Sequence, residues 1–374
     1  MTRRETLVAR SIVYAILNTN DDGKLAREPS LLGRVLRLFY LYWLTFRHVR
    51  YDLFKALRGV WGIRDSDYKA SFSVKNQKKK DKMALVPMGD MGYSGSTFFR
   101  TSDSAYLVKS VPRRFENEFF KNDLLLPYAD HMRTNTSSLL VRITDFLETT
   151  HYSVGVLLGL APSHHIIMEN IMYGQDQEAQ SETAPKWESW DLKPASYFFP
   201  ERDIAGGALA SEATLSRLAD EFHDKIRLSE ADAKSFKGQI EKDTKLLADC
   251  NTVDYSLFLV RISAANAPAA EFQPSLSSDQ TSAAPIPPAQ PPFAPPDPPT
   301  WRTGVRSSDG TEVYRAAILD FFWAKHTVHA KALTGLVRGY NLIDDQGPMS
   351  ITADSQEYRD RFLKMCDEYV EVQE

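Results

Sequence analysis

The feature that most constrains the fold is a proline-rich stretch at residues 264–300, which holds more than half of the chain's 20 prolines. This composition cannot build a packed core and is typical of a disordered or polyproline-like insert. It separates two apolar runs, "DYSLFLV" and "RAAILDFFW". The sequence therefore predicts two strands separated by a long insert. A proline-recognising partner could bind that insert, although a passive linker is the simpler interpretation.

Composition and charge exclude several classes of protein. The 374 residues are 43 % hydrophobic and 25 % charged, which is ordinary for a globular protein of two or three packed units. The net charge of −4 gives no global basic field, so we expect no nucleic-acid partner. Two cysteines, Cys250 and Cys366, argue against a disulfide scaffold and fit a reducing compartment. Arg10 interrupts the early apolar stretch, and we expect no secretory leader.

The residue pattern predicts four regions along the chain. Residues 1–70 are predicted to be helical, 71–173 to form a sheet-rich lobe, 174–186 to be a polar loop and 187–374 to form a second lobe that contains the insert. In the helical region an apolar stripe recurs at helical spacing: Val35, Leu38, Phe39, Tyr42, Phe46 and Val49. Core packing is the simplest interpretation of that stripe, but a partner or a membrane surface also fits.

A glycine turn between two predicted strands precedes a lysine. The stretch "GYSGSTFF" places Gly92, Ser94, Gly95 and Ser96 in this turn, and "AYLVKSV" then carries Lys109. Glycines let backbone N–H groups approach a phosphate, and a lysine on the next strand can reach the same phosphates. A β-hairpin with an edge lysine is the alternative.

Carboxylates recur beside the apolar runs of the second lobe. Asp254 precedes one run and Asp320 lies within the other, while Asp191 and Lys193 in "SWDLKPAS" can face one side of an extended segment. Two carboxylates that are brought together repel unless a cation lies between them. Magnesium bound to nucleotide phosphates fits this role, although either aspartate alone could cap a turn.

In this order the stretches resemble the phosphatidylinositol phosphate kinase family, in particular its phosphatidylinositol 4-phosphate 5-kinases. "GYSGSTFF" resembles the family's phosphate loop, "LVKSV" its ATP-lysine strand, "SWDLKPAS" its DLKGS signature, "TVDYSLFLV" its MDYSLLVG signature and "ILD" its IID metal site. The match covers about residues 40–374. It implies an α+β, two-lobed kinase-like fold with an antiparallel-sheet N-terminal lobe, helices and a smaller C-terminal lobe, and it implies ATP and Mg²⁺ as cofactors.

The resemblance also implies a role for each matching residue. Asp254 would orient or deprotonate the attacking inositol hydroxyl, Lys193 would contact the transferring phosphate with Asp191 in support, and Asp320 would hold magnesium. The implied ATP-binding set comprises Gly92, Ser94, Gly95, Ser96, Lys109, Glu118 as the partner of Lys109 with Glu116 as the alternative, and Met168, Asn170 and Ile171 in the hinge beside adenine.

Three positions depart from the family's motifs. Tyr93 stands where the phosphate loop has lysine, Pro194-Ala195 replaces the glycine after DLK, and Val260 replaces a glycine. None of these changes removes an expected catalytic group. The rival functions are a non-catalytic phosphoinositide-binding scaffold and a protein kinase, and the second is disfavoured because no HRD-type loop or DFG triplet occurs.

The implied substrate is a membrane phosphoinositide, first phosphatidylinositol 4-phosphate converted to the 4,5-bisphosphate. The cations expected at the lipid are Lys78, Lys79 and Lys80 in "KNQKKKDK", and Lys325, Lys331 and Arg338 after "ILD". The first run could also be a solvated hairpin. We expect a cytoplasmic protein that visits the inner face of a membrane reversibly, in the first place the plasma membrane, and a homodimer through the N-terminal region.

Overall fold

The computed structural model describes residues 2–25, 41–73, 84–90, 96–150, 153–178, 184–194, 222–263, 300–325 and 353–373. They belong to two compact units, the first drawn from Met1–Arg114 and Arg142–Tyr173, the second from Phe115–Val141, Gly174–Ser282 and Pro288–Glu374. Both units combine helices with antiparallel strands, which confirms the predicted α+β class. The domain bounds drawn from the sequence stay a prediction. No helix of the described ranges is long and apolar enough to cross a membrane.

The described elements follow in chain order. The helices are α1 (Arg3–Leu17), α2 (Tyr51–Val60), α3 (Asp65–Ser71), α4 (Arg114–Phe119), α5 (Leu125–Thr134), α6 (Val154–Leu157), α7 (Gln175–Glu178), α8 (Glu230–Asp249) and α9 (Ser355–Tyr369), with a π-helical turn at Phe120–Leu124. The strands are β1 (Phe46–His48), β2 (Leu85–Asp90), β3 (Thr97–Thr101), β4 (Tyr106–Ser110), β5 (Ile143–Thr149), β6 (His164–Glu169), β7 (Lys186–Leu192), β8 (Ile226–Leu228), β9 (Thr252–Val253), β10 (Ser256–Ser263), β11 (Val305–Arg306), β12 (Glu312–Leu319), β13 (Trp323–Ala324) and β14 (Val370–Val372).

The first unit is built on a six-stranded sheet in the order β1-β5-β6-β4-β3-β2, and each neighbouring pair is antiparallel. Every residue of β6 is buried, as expected for a central strand that carries "HHIIME". The short apolar runs from residue 84 to residue 110 therefore form strands, as their composition predicts.

A buried carboxylate attaches the N-terminal helices to this sheet. Asp145 in β5 is fully buried and contacts His48 Nδ1 at 2.8 Å and the Tyr68 hydroxyl at 3.4 Å. The guanidinium of Arg58 lies 4.0 Å from the same carboxylate and donates to the carbonyl oxygen of Thr144 at 2.8 Å. A charge at such depth requires partners of this kind. The cluster ties α2, α3 and β1 to the middle of β5.

The helical stripe predicted over residues 35–49 is wrong in its described part. Residues 41–45 are not helical, and Phe46–His48 form β1, which pairs with Leu147–Thr149 at the edge of the sheet. Leu44 and Phe46 are buried whereas Leu41 and Trp43 are exposed. The aromatic and β-branched residues of this segment fit an edge strand, and an available neighbour outweighs helical periodicity. Residues 35–39 lie outside the described ranges.

The second unit contains a four-stranded sheet in the order β11-β12-β10-β7. Strands β10 and β12, on either side of the proline-rich insert, are antiparallel neighbours from the pair Ser256 and Leu319 to the pair Ser263 and Glu312. Residues 264–299 of the insert lie outside the described ranges. Helices α8 and α9 begin at the caps Ser229 and Asp354, whose side chains accept backbone N–H bonds.

Candidate active site

Three strand ends meet at one edge of the four-stranded sheet. Strand β7 ends at Leu192, which pairs with Leu257, and β12 ends at Leu319, which pairs with Ser256. Because these strands are antiparallel to β10, the residues after β7 and β12 emerge beside the residues before β10. The sheet register therefore brings Lys193, Asp254 and Asp320 to the same edge.

The partner of Asp254 at this edge is Lys193. The Lys193 Nζ atom lies 3.0 Å from Asp254 Oδ1, and about a quarter of each side chain is exposed. Burial acts to lower the pKa of Lys193, but the carboxylates of Asp254, Asp191 and Asp320 outweigh it and raise that pKa above its ordinary value. Lys193 therefore stays protonated throughout the neutral range. The structure brings together the four residues that the sequence places in the catalytic and metal roles.

Both aspartates of the edge have left-handed backbones. The φ angle is 66° at Asp254 and 62° at Asp320. This region is unfavourable for most residues, and aspartate is among the few that tolerate it because its short side chain can bond locally. At Asp320 the chain turns tightly, since the N–H of Phe322 donates to the Asp320 carbonyl oxygen at 2.9 Å. Each carboxylate therefore projects from a turn and not from a regular strand.

Helix α9 holds the Asp254 turn in place. The hydroxyl of Tyr358 donates to the carbonyl oxygen of Tyr255, and the rings of Tyr358 and Phe362 pack edge-on against Tyr255 at 4.7 and 4.9 Å between centroids. Sequence reasoning missed this support. The i, i+4 aromatic pair in "EYRDRF" could have indicated it, because such a pair shares one face of a helix.

In the first unit, Lys109 lies in the middle of the sheet. It is buried in β4 between Phe98 of β3 and Ile166 of β6, and its Nζ atom lies 5.4 Å from the centre of the Phe98 ring. Ser96 is buried just before β3. Because β4 lies inside the sheet between β6 and β3, the alternative of a lysine on an edge strand is wrong. Gly92, Tyr93, Ser94 and Gly95 lie outside the described residues.

The predicted adenine hinge begins in the last residues of β6. Met168 and Ile171 are buried, and Met168 pairs with Leu107. Asn170 is also buried, and its Nδ2 donates to the Ser104 carbonyl oxygen at 2.7 Å while its Oδ1 accepts from the Met172 N–H at 3.1 Å. The Asn170 side chain thus fixes the end of β6 against the β3–β4 turn.

The two candidate acidic residues of α4 differ in exposure. Glu116 is 9 % exposed, whereas Glu118 belongs to the exposed residues. Which of them serves Lys109 stays a prediction.

Among the cations expected at the lipid, the structure describes only Lys325. Its Nζ lies 3.8 Å from Asp354 Oδ2, at the N-terminus of α9. The other expected lipid contacts, Lys78, Lys79, Lys80, Lys331 and Arg338, lie outside the described ranges.

Comparison with known proteins decides which family this arrangement belongs to. A family model described as phosphatidylinositol-4-phosphate 5-kinase matches residues 79–369. The chain belongs to this family. The resemblance inferred from the sequence motifs is thereby confirmed.

Two relatives support a phosphatidylinositol phosphate kinase. A Dictyostelium discoideum protein named as a probable phosphatidylinositol phosphate kinase is 27 % identical over 220 residues, which are 56 % of this chain and 26 % of that protein. A phosphatidylinositol 4-phosphate 5-kinase of Plasmodium falciparum (isolate 3D7) is 30 % identical over 102 residues, or 26 % of this chain and 6 % of the relative. The chain thus spans about a quarter or less of the curated relatives that it matches.

Membership of a lipid kinase family implies the use of ATP, and the carboxylate edge fits the metal ion that accompanies it. The carboxylates of Asp254, Asp191 and Asp320 all act on the one ammonium group of Lys193, which leaves negative charge in excess. No three His, Cys, Asp or Glu side chains within the described ranges converge on a closed metal site. Mg²⁺ does not require one, because it commonly takes one or two carboxylates and completes its shell with phosphate oxygens and water. Asp320 and its neighbours have the hard oxygen donors that such an ion prefers.

Proposed function

We propose that the chain transfers the γ-phosphate of ATP to an inositol hydroxyl of a membrane phosphoinositide, and that it converts phosphatidylinositol 4-phosphate to the 4,5-bisphosphate. The observation that supports this proposal is the 3.0 Å contact between Lys193 and Asp254, at a sheet edge shared with Asp191 and Asp320. A base, a cation and metal-binding carboxylates are the groups that phosphoryl transfer to a hydroxyl requires.

Asp254 is the proposed base. Its carboxylate would accept the proton of the attacking inositol hydroxyl and orient the oxygen. The ammonium group of Lys193, which faces Asp254 Oδ1, holds that carboxylate in position and adds positive charge where the phosphate would lie. The left-handed turn at Asp254, held by Tyr358, keeps the base rigid.

The proposed roles of Asp320 and Asp191 are electrostatic. Asp320 would hold Mg²⁺, which neutralises phosphate charge when it is bound. Asp191 supports Lys193, since its carboxylate is one of the groups that raise the pKa of this lysine. In the first unit, Lys109 would hold the ATP phosphates, and residues Met168–Ile171 would lie beside adenine.

The proposed location follows from the substrate. A phosphoinositide stays in its bilayer, so we expect a cytoplasmic protein that reaches the inner face of the plasma membrane reversibly. Lys78, Lys79, Lys80, Lys325, Lys331 and Arg338 are the proposed cationic contacts, each contributing about 1 kcal/mol near anionic lipid. Attachment through them should weaken as salt rises.

The decisive experiment is a transfer assay with radiolabelled ATP and a panel of vesicles, each containing one phosphoinositide isomer. We expect label in the inositol bisphosphate headgroup with phosphatidylinositol 4-phosphate, and none with Asp254→Asn protein. Transfer to a different isomer would correct the substrate. Lack of transfer to every isomer by a folded, ATP-binding protein would contradict the proposal and favour the phosphoinositide-binding scaffold.

A further inference from the structure

The first unit carries a concentrated apolar surface. Large hydrophobic side chains are exposed in and after α6, where Leu157 is 71 % and Leu158 64 % exposed and Val154 and Leu160 are also exposed. Leu41 and Trp43 are exposed in the segment before β1, with Trp43 at 44 %. We call these six residues the leucine patch. Contiguous exposed apolar surface of this kind marks an interaction site more often than scattered leucines do.

The two segments of the leucine patch are in direct contact. A Cβ atom at Gly155 would lie 1.7 Å from the carbonyl oxygen of Leu41, so α6 packs against the backbone of residue 41. The turn after α6 is closed by backbone bonds from the N–H groups of Leu160 and Ala161 to the Gly155 carbonyl oxygen, at 2.8 and 3.1 Å. The apolar side chains are therefore held on one built surface.

A cationic helix lies beside the leucine patch. The N–H of Leu44, next to Trp43, donates to Ser11 Oγ of α1 at 3.1 Å. The exposed residues of α1 include Arg3, Arg4 and Arg10, and Arg3 and Arg10 are seven residues apart and thus share one face. Within the described ranges, no ion pair links these arginines to a carboxylate.

We propose that the leucine patch and the arginines of α1 form a membrane-contact surface for an anionic bilayer. Leucine and tryptophan side chains enter the boundary between headgroups and acyl chains, and neighbouring arginines attract anionic lipid. A homodimer expected through the N-terminal region could instead bury this patch against a second copy, and the test below distinguishes the two occupants.

The membrane-contact surface rests on the proposed function in one respect, because a kinase whose substrate stays in the bilayer needs a surface that holds the enzyme there. The leucine patch adds apolar insertion to the cationic contacts already proposed. Cations alone give attachment that salt removes, whereas apolar insertion persists at high salt. The leucine patch therefore predicts a salt-resistant component of vesicle binding.

The test is co-sedimentation of the 374-residue chain with phosphatidylcholine vesicles that contain phosphatidylserine, over a series of salt concentrations. We expect the double substitution Leu157→Glu and Leu158→Glu to lower binding at high salt about tenfold or more, because two exposed leucines lose their transfer into the bilayer. Leu126→Glu is the matched control, since Leu126 is 50 % exposed on α5 and outside the patch. It should bind like the wild type.

A soluble short-chain phosphoinositide separates the two proposals. The double variant should phosphorylate this soluble lipid at the wild-type rate. If the wild type binds vesicles but does not phosphorylate the soluble lipid, the result contradicts the proposed function and leaves the membrane-contact surface standing. Wild-type vesicle binding by the double variant would overturn the membrane surface. So would a wild-type dimer in solution that the same substitutions dissociate, because the patch would then belong to a second copy. The double substitution Leu41→Ser and Trp43→Ser tests the same surface from the neighbouring segment.

Discussion

Asp254 and Asp320 occupy matching positions on two stretches of chain that pair with each other twice. After Asp254 and before Asp320, β10 pairs with β12. Before Asp254 and after Asp320, β9 pairs with β13 through the pairs Val253 with Trp323 and Thr252 with Ala324. Each aspartate is thus the left-handed turn between two ladders. This double pairing holds the two carboxylates at one edge with little dependence on side-chain contacts.

The first prediction concerns the metal role of Asp320. Asp320→Asn should reduce the rate of lipid phosphorylation about a hundredfold or more, because it removes a charged oxygen ligand. Asparagine tolerates the left-handed backbone, so the fold should remain. Thermal melting and transfer activity should be measured on the same preparation.

Asp320→Ala provides the backbone control. Alanine lacks the local bonding of asparagine, so this variant should lose about 1–2 kcal/mol of stability in addition to its activity. A folded Asp320→Asn protein with full activity would remove Asp320 from the metal site.

The second prediction concerns Lys193. Lys193→Met should lower kcat about a hundredfold or more, because the edge loses the ammonium group that faces Asp254 and keeps three carboxylates. Lys186→Met is the matched control, since Lys186 begins the same strand, is exposed and pairs with Glu188 at 2.7 Å. Its effect should be small, as for other exposed pairs. Equal kinetics for the two variants would refute the assignment.

Much of this edge could be predicted from the sequence. Polar residues at the ends of three apolar runs indicate strand ends, and the motifs fix which residues matter. The sequence also predicts that Asp254 has a partner, because the burial of an unpaired carboxylate beside a strand is energetically unfavourable. It does not reveal that the partner is Lys193, since this depends on the pairing of β7 with β10, and those strands are more than sixty residues apart in sequence.

The N-terminal segment shows where sequence reasoning fails. The apolar residues at 42, 46 and 49 fit a helix by spacing, yet β1 forms there because β5 offers an unpaired edge. Long-range pairing of this kind outweighs local periodicity. The cluster around Asp145 was missed for the same reason, since His48, Arg58 and Tyr68 become neighbours only in the folded unit.

The third prediction concerns Lys109. Lys109→Met should raise the KM for ATP and lower kcat/KM, because the lysine would hold the nucleotide phosphates. Methionine keeps the volume and the contact with Phe98, so the melting temperature should stay within a few degrees of wild type. Vesicle binding should be unchanged. A folded Lys109→Met variant that loses vesicle binding would contradict the assignment of Lys109 to the ATP site alone.

The fourth prediction distinguishes the two glutamates of α4. Glu116→Gln should reduce ATP-dependent activity more than Glu118→Gln does. A buried carboxylate needs a charged or hydrogen-bonding partner to offset its desolvation, and an exposed one does not depend on a partner in this way. The two variants differ by one charge each on the same helix, and each serves as the control of the other. A larger loss in Glu118→Gln would restore Glu118 as the functional residue.

The last prediction concerns pH and His165 in β6. This imidazole is fully buried, and neither ring nitrogen has a hydrogen-bond partner among the described residues. Burial, with a smaller contribution from His164, lowers the pKa of His165 to about 3 from an ordinary value of 6.5. Between these values the unfolded chain binds a proton that the folded chain excludes. His165 therefore leaves the free energy of unfolding unchanged above about pH 6.5. Below that pH the free energy of unfolding falls by up to about 1.4 kcal/mol per pH unit.

Replacing His165 by leucine should remove this part of the pH dependence and should leave the folded protein at least as stable at neutral pH, because two buried polar atoms without partners disappear. The measurement is urea unfolding of both proteins between about pH 7 and pH 5, where the wild type should lose stability faster. His223→Leu, which removes an exposed imidazole instead of a buried one, is the control. Identical slopes for wild type and His165→Leu would mean that His165 accepts a proton in the folded state, and the imidazole would then have a partner or a route to water.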